Sequence, residues 1–289
     1  MLIRKRRQIV LGVIIATVAL AAMRAAAATP PNARDIVEAA DRARNPQRSF
    51  RTTLTLVTYR NGQARERVVL GVHAKIDKKL EDKIDSRVNG QIQVAANAAN
   101  AGDARQFKNL VRYIDPPRDA GKLVLLDASK MWFYDPASKT SVRISAQQRL
   151  IGQASNGDVL TVNLAHDYTA TLIGEETIKD ADHQDRRAWH LNLVAATGDA
   201  VYARLEYWVE RDSYRAIKGK FYSDSGRVLK IAYYRKVAEV LGAMRPTETV
   251  IIDAVDANLV TTVDGSGYRA QELPEAWFQR DYLPRFEEE

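Results

Sequence analysis

The chain of 289 residues carries 43 lysines and arginines against 36 acidic residues, and no cysteine. A cysteine-free chain has no disulfide, no thiol nucleophile, no cysteine-ligated zinc or iron–sulfur site and no acylated N-terminal cysteine. Five of the basic residues (Arg4, Lys5, Arg6, Arg7 and Arg24) and none of the acidic ones fall in the first 28, so the rest balances 38 against 36; net charge then gives no basis for a nucleic-acid partner, and none is expected.

Residues 1–28 have the layout of a signal peptide: a basic head at 4–7, an apolar run over 9–23 and small residues up to Ala28. The apolar run is short of the roughly 20 residues a membrane-spanning helix needs. Cleavage near Ala28 and export are therefore expected in preference to a retained anchor. The Arg6-Arg7 pair leaves both the general secretory and the twin-arginine routes open. Residues 29–289 are expected to form one domain.

Residues 32–44 place Ile36, Val37, Ala40 and Ala43 on one side at helical spacing, with Asn32 or Asp35 as the cap and Asn45-Pro46 as the stop. The period then changes to two. Segments 49–59 and 64–77 read as strands about an Asn61-Gly62 hairpin turn. Residues 78–103, first charged and then rich in alanine and asparagine, read as an inserted solvated loop. A strand at 107–114 ends at Asp115-Pro116-Pro117. The stretch 121–158 opens with an apolar strand leading into Met131-Trp132-Phe133-Tyr134 and the Asp135-Pro136 turn. A second strand ends at 143–145, and a polar segment follows with Arg149, Leu150, Ile151, Gly152 and Asn156-Gly157-Asp158. It reads as two sheet strands followed by a movable cover. Strands recur at 168–178, 187–194, 201–210, 216–223, 227–236, 247–255 and 258–263, and 272–282 reads as a C-terminal helix. About ten or eleven strands with short turns, and no alternation with helices, make a β-meander of the sandwich or barrel class.

Large apolar residues keep one parity along several strands: Trp189 with Leu191 and Leu193, Leu205 with Tyr207 and Val209, Ile217 with Phe221, and Leu229 with Ile231 and Tyr233. The other parity carries charge, Lys230 included, as in an antiparallel sheet wetted on one side. An apolar face this wide must be covered, and two helices and one polar segment are little material for it. Either the sheet closes on a filled core, or it curves around an interior with room for an apolar guest.

No catalytic arrangement stands out, and no cofactor or metal is expected. His73, His166, His183 and His190 show no zinc-site spacing. The adjacent His166 and Asp167 are expected to point apart, as neighbours in a strand or loop do. Asp180, Asp182 and Asp185 with His183 lack the glycine bend of a calcium loop. No Gly-x-Ser-x-Gly elbow is present.

Taken together, Asp115-Pro116-Pro117, Gly121-Lys122-Leu123, Met131-Trp132-Phe133-Tyr134-Asp135-Pro136, Arg149-Leu150-Ile151-Gly152 and Asn156-Gly157-Asp158 resemble the outer-membrane lipoprotein-sorting proteins of the LolA-like superfamily. Segments 168–176, 202–209 and 221–230 and the tail Trp277-Phe278 with Tyr282-Leu283 fit as well. The resemblance covers most of 32–285. It implies a mainly β fold with some α: an incomplete antiparallel barrel whose concave face is apolar and covered by an N-terminal helix, a lid over 145–164 and a C-terminal helix. It also implies a periplasmic carrier that shields the acyl chains of lipoproteins or of another lipid, acting as a monomer between an inner-membrane transporter and an outer-membrane acceptor. A sensor of the same fold acting with a membrane partner is the alternative. On this reading Met131, Phe133, Trp189, Leu191, Tyr207, Phe221 and Ile231 line the groove. Trp132 and Tyr134 compete for the inward parity of their strand, and Arg149, Leu150 and Ile151 belong to the lid.

Overall fold

The structure is a computed structural model that describes residues 31–76, 107–127, 130–160, 162–198 and 200–287. The expected signal segment 1–28 and the insert 78–103 lie outside the described residues.

Helix α1 (Ala33–Arg44) begins where the Asn32 side chain accepts a hydrogen bond from the Arg34 N–H (2.9 Å). It ends at Asn45, because the residue before a proline is pushed out of the helical region. The strands are β1 (Phe50–Arg60), β2 (Gln63–Ile76), β3 (Phe107–Asp115), β4 (Leu123–Asp127), β5 (Lys130–Asp135), β6 (Thr140–Ile144), β7 (Arg149–Ile151), β8 (Ala154–Ser155), β9 (Tyr168–Lys179), β10 (Asp185–Ala195), β11 (Arg204–Glu210), β12 (Ala216–Tyr222), β13 (Val228–Val240), β14 (Ala243–Asp253) and β15 (Leu259–Ala270). Asn61 and Gly62 turn β1 into β2 with φ of 53° and 74°, the left-handed pair that a two-residue hairpin demands. Leu241 and Gly242 (φ 48° and 81°) do the same between β13 and β14, which makes that hairpin longer than the sequence suggested. The apolar strand expected across 121–135 is in fact two antiparallel strands, β4 and β5.

Thirteen strands form one antiparallel sheet in the order β6-β5-β4-β3-β2-β1-β15-β14-β13-β12-β11-β10-β9, while β7 and β8 pair separately. The sheet is not closed into a barrel: β6 and β9 are its two edges. In the chain these edge strands are separated only by 145–167, so that segment must cross from one edge to the other. Its Ile151, Ala154, Val159, Leu160 and Leu164 join Ile36, Val37 and Ala40 of α1 in the same buried cluster as the inner face of the sheet. Lid and helix thus supply the missing cover of the apolar face.

The C-terminal segment departs from expectation twice. It is two 3-10 turns, Glu275–Phe278 and Arg280–Arg285, separated at Gln279, whose backbone is extended (φ −115°, ψ 133°). It also covers the outer face, not the concave one: Leu273, Phe278 and Leu283 pack with Leu110, Leu123, Leu125 and Tyr134 in a second cluster separate from the groove.

Candidate functional site

Directly paired residues share a face of a sheet, so register fixes which side chains enter the groove. Trp189 opposes Val209, Leu191 opposes Tyr207 and Leu193 opposes Leu205; Leu205 in turn opposes Phe221, and Phe221 opposes Lys230. Trp189, Leu191, Tyr207 and Phe221 all lie in the main cluster, as the parity predicted. On β5, Met131 and Phe133 face the same way, opposite Leu126 and Val124.

Three expected groove residues stand elsewhere. Trp132 and Tyr134 point to the outer face, where they pack beneath the C-terminal segment; Arg280 lies over the Trp132 ring at 4.3 Å. Ile231 pairs with Ile252 on the outer face, because the inward parity of β13 belongs to Lys230, Ala232 and Tyr234. A parity rule that follows the larger apolar residues fails here, since Ala232 and a lysine face the lid while Ile231 and Tyr233 stay half-buried outside. Of the expected lid residues, Ile151 is buried in the cluster, Leu150 packs against it and Arg149 is exposed.

Besides the Gln153 N–H, which donates to the Thr261 hydroxyl of β15 at 2.9 Å, two sets of polar contacts hold the lid in the groove. The first comes from α1. Arg44 donates to the Val162 carbonyl and to Asp41, both at 2.8 Å, and Asn45 donates to the same carbonyl at 2.9 Å. Asp41 accepts the Ala165 N–H at 2.8 Å. Burial pushes the Asp41 carboxyl above its ordinary range, against the downward pull of Arg44. Arg245 of β14 fixes this end of α1 by donating to the carbonyls of Arg42, Ala43 and Asn45 at 2.7, 2.8 and 3.0 Å, filling acceptors that a helix C-terminus leaves open.

The second set was not expected from the sequence. Lys230 is 4% exposed and projects from β13 into the groove, where it pairs with Asp158 of the lid and donates to the Gln153 carbonyl (3.2 Å). Its ammonium lies 4.8 Å from the Tyr202 ring centre. Asp158 also accepts the Tyr202 hydroxyl (2.9 Å) and the Ser155 N–H (2.7 Å). Burial first, and then the Asp158 charge, push the Tyr202 phenol well above its usual value. The one sequence signal was Lys230 itself, a lysine flanked by large apolar residues, and it was assigned to the wet face. His166 and Asp167, expected to diverge, are instead hydrogen-bonded at 3.0 Å within the short helix α2 (Leu164–Asp167). A single helical turn brings these neighbours together where a strand would separate them.

Beneath the lid a cavity of about 190 Å³ remains, lined in part by Phe50, Leu54, Leu205, Phe221, Ile251 and Val263. Ligand pockets run to about 300–1,000 Å³, so the lid occupies much of the space that the groove would offer to a guest. Among the described residues no helix is long and apolar enough to cross a membrane.

A family model described as an uncharacterized protein matches residues 105–285. No curated protein matches the chain. A LolA superfamily protein from Nitrosomonas europaea is similar in structure, with a TM-score of 0.70, 28% identity, and 87% of this chain and 99% of that one covered. A domain from Vibrio parahaemolyticus described as an outer-membrane lipoprotein-sorting protein gives a TM-score of 0.67 at 16% identity, over 88% of this chain and 98% of that one. A DUF1329 family protein from Desulfovibrio piger gives 0.67 at 18% identity, over 87% and 97%. At those identities the last two speak for the fold alone.

Proposed function

We propose that the chain, which shares its fold with a LolA superfamily protein and matches a family model over residues 105–285, is a periplasmic carrier which takes the acyl chains of a lipoprotein or another lipid into its groove and moves them toward the outer membrane. The observation that carries this reading is how the apolar face is covered. Among the described residues the inner wall is not packed against a second large sheet; the only other sheet is the two-stranded β7–β8 pair of the crossing segment. The wall is covered by α1 and by this crossing segment, which is anchored through a few polar contacts.

The energetics suit a carrier. Each methylene withdrawn from water contributes about 0.8 kcal/mol, so a dry wall binds an acyl chain without directional contacts. The side chains of Ile151, Val159, Leu160 and Leu164 already give that wall an apolar cover in the closed state. Lid and guest therefore exchange like for like, and the net preference stays small enough for release. An inner-membrane donor and an outer-membrane acceptor complete the route on this reading.

The test is native mass spectrometry of protein recovered from the periplasm, joined to lipid extraction. The expected result is a co-purified acyl lipid that is lost when Phe221, on the inner wall, is replaced by aspartate. A protein that carries no lipid, and takes none from acyl-bearing vesicles, would overturn the reading.

A further inference from the structure

Lys230 is a costly residue to place on the wall of a groove meant for hydrocarbon. A buried ammonium is tolerated when it is paired and hydrogen-bonded, and the partners found for Lys230 come from one place. Asp158, the Gln153 carbonyl and the Ser155 hydroxyl (3.5 Å) all belong to the lid. From outside the lid it meets the ring faces of Tyr202, in the bend before β11, and Phe221 of β12, at 4.8 and 5.6 Å. Its cross-strand neighbour Asp253 has its carboxylate turned into the bend after β14, accepting the N–H groups of Val255 and Asp256 at 2.8 and 2.9 Å. When the lid lifts to admit a chain, Lys230 loses Asp158, Gln153 and Ser155 in one step.

Taking the carrier reading as its basis, we propose that the groove selects an amphiphile with an anionic group next to its acyl chain, and that Lys230 receives this group in the place Asp158 holds when the lid is closed. A neutral chain leaves the ammonium with water alone. A carboxylate or phosphate restores a charge-assisted pair of the kind it gave up. Asp158 is then both a latch and an internal competitor: it keeps the lysine satisfied in the empty protein and yields to an incoming anion.

The position of Lys230 fits this assignment. It lines the apolar cavity under the lid, and it also lines a second, more polar recess that carries Arg149 and Arg227 along with Asp224 and Asp253. A chain lying in the first space thus has its charged end at Lys230 and the remainder of its headgroup in the second. Tyr202 lines both spaces, and its hydroxyl, which donates to Asp158 in the closed state, is placed to donate to a replacing anion.

The experiment compares four ligands with the same sixteen-carbon chain: palmitate, palmitoyl lysophosphatidic acid, monopalmitoylglycerol and hexadecanol. Affinities are read by displacement of a fluorescent fatty-acid probe from the full-length mature protein. The wild type is expected to prefer the charged ligands over the neutral ones by about tenfold or more, the scale of one charge-assisted hydrogen bond. The palmitate and lysophosphatidic acid arms show whether a carboxylate or a phosphate is the better fit. Lys230→Met should bring the ratio of charged to neutral affinity close to one, while neutral ligands bind as well as before or better. Asp158→Asn keeps Lys230 and removes its competitor, so it should raise affinity for the charged ligands more than for the neutral ones; it decides the matter if Lys230→Met proves unfolded by its thermal melt. A purely structural latch predicts something different: both substitutions loosen the lid and change all four affinities by the same factor. That result, or a wild type indifferent to charge, would overturn the anion site and leave the carrier reading intact. Failure of all four ligands to bind would overturn both.

Discussion

Tyr207 is a wall residue that carries an unmet polar group. It is fully buried, and its hydroxyl has no hydrogen-bond partner. Burial raises its phenol above the ordinary value, although Arg44 acts in the opposite direction. An unsatisfied buried hydroxyl costs about 1–3 kcal/mol, so Tyr207→Phe is expected to be neutral or to stabilise by up to about 1 kcal/mol in urea unfolding, because it removes a liability and leaves the ring in place. Tyr207→Ala opens a cavity in the same wall and should cost about 3–5 kcal/mol. A Phe variant as unstable as the Ala variant would mean that the hydroxyl has a structural partner. The position also marks what the sequence could tell. Alternation on β10 and β11 put Trp189, Leu191 and Tyr207 on one face correctly, because Leu191, Leu193, Leu205, Tyr207 and Val209 share that face while Asn192, Arg204 and Glu206 fall on the other. On β5 both parities are apolar, and only the C-terminal segment lying outside determines that Met131 and Phe133 turn inward. That contact joins residues distant in sequence, so the local pattern has no access to it.

At the level of elements, the lid is the part whose motion the proposed function requires. Two glycines let it seat closely. A side chain at Gly152 (φ 52°) would meet Thr261 and Thr58 at 2.4 Å, and a Cβ at Gly157 would lie 2.6 and 2.8 Å from the two methyls of Val201. The second contact offers a way to fasten the lid. Gly157 has an ordinary backbone conformation, and the γ atoms of Val201 stand close to where a disulfide partner's sulfur would have to be. The protein has no cysteine of its own to interfere. The double variant Gly157→Cys/Val201→Cys is therefore expected to oxidise to a single bridge. Closed in this way it should take up acyl ligand at least about tenfold less well than its reduced form, since the open state is removed from the equilibrium. Binding that is the same before and after reduction would show that chains enter without lid movement. The existence of this cover was legible in the sequence from its polar, glycine-punctuated composition between strands. Its anchoring was not, because the decisive partners, Asp41 and Arg44 on α1 and Lys230 on β13, lie about 120 and 70 residues away in the chain and only the folded sheet brings them to it.

For the described domain as a whole, topology makes the lid unavoidable and also predicts what a ligand does to it. The sheet runs outward from the β1–β15 pair in two meanders, and its edges β6 and β9 are joined only by 145–167. No rearrangement that keeps the strand order can take that segment away from the mouth of the groove; it can only be lifted or pressed down. With the lid down, the apolar cavity at Phe221 and Ile251 offers about 190 Å³, below the range of about 300–1,000 Å³ in which drug-sized ligands are held. A preformed pocket closes over its guest, so its cover gains protection when the ligand binds. Here the guest needs the volume that Ile151, Val159, Leu160 and Leu164 occupy, so binding must expel part of the cover. Native-state hydrogen exchange on the mature protein should accordingly show amides in 145–167 exchanging faster with acyl ligand bound. Those of β10, β11 and β12 should exchange more slowly, because a ligand that binds only the folded state stabilises the wall it contacts. Opposite signs for lid and wall are the signature of displacement. If both regions gained protection together, the cavity under the closed lid would have to be the binding site as it stands, and the exchange of lid for guest would be ruled out.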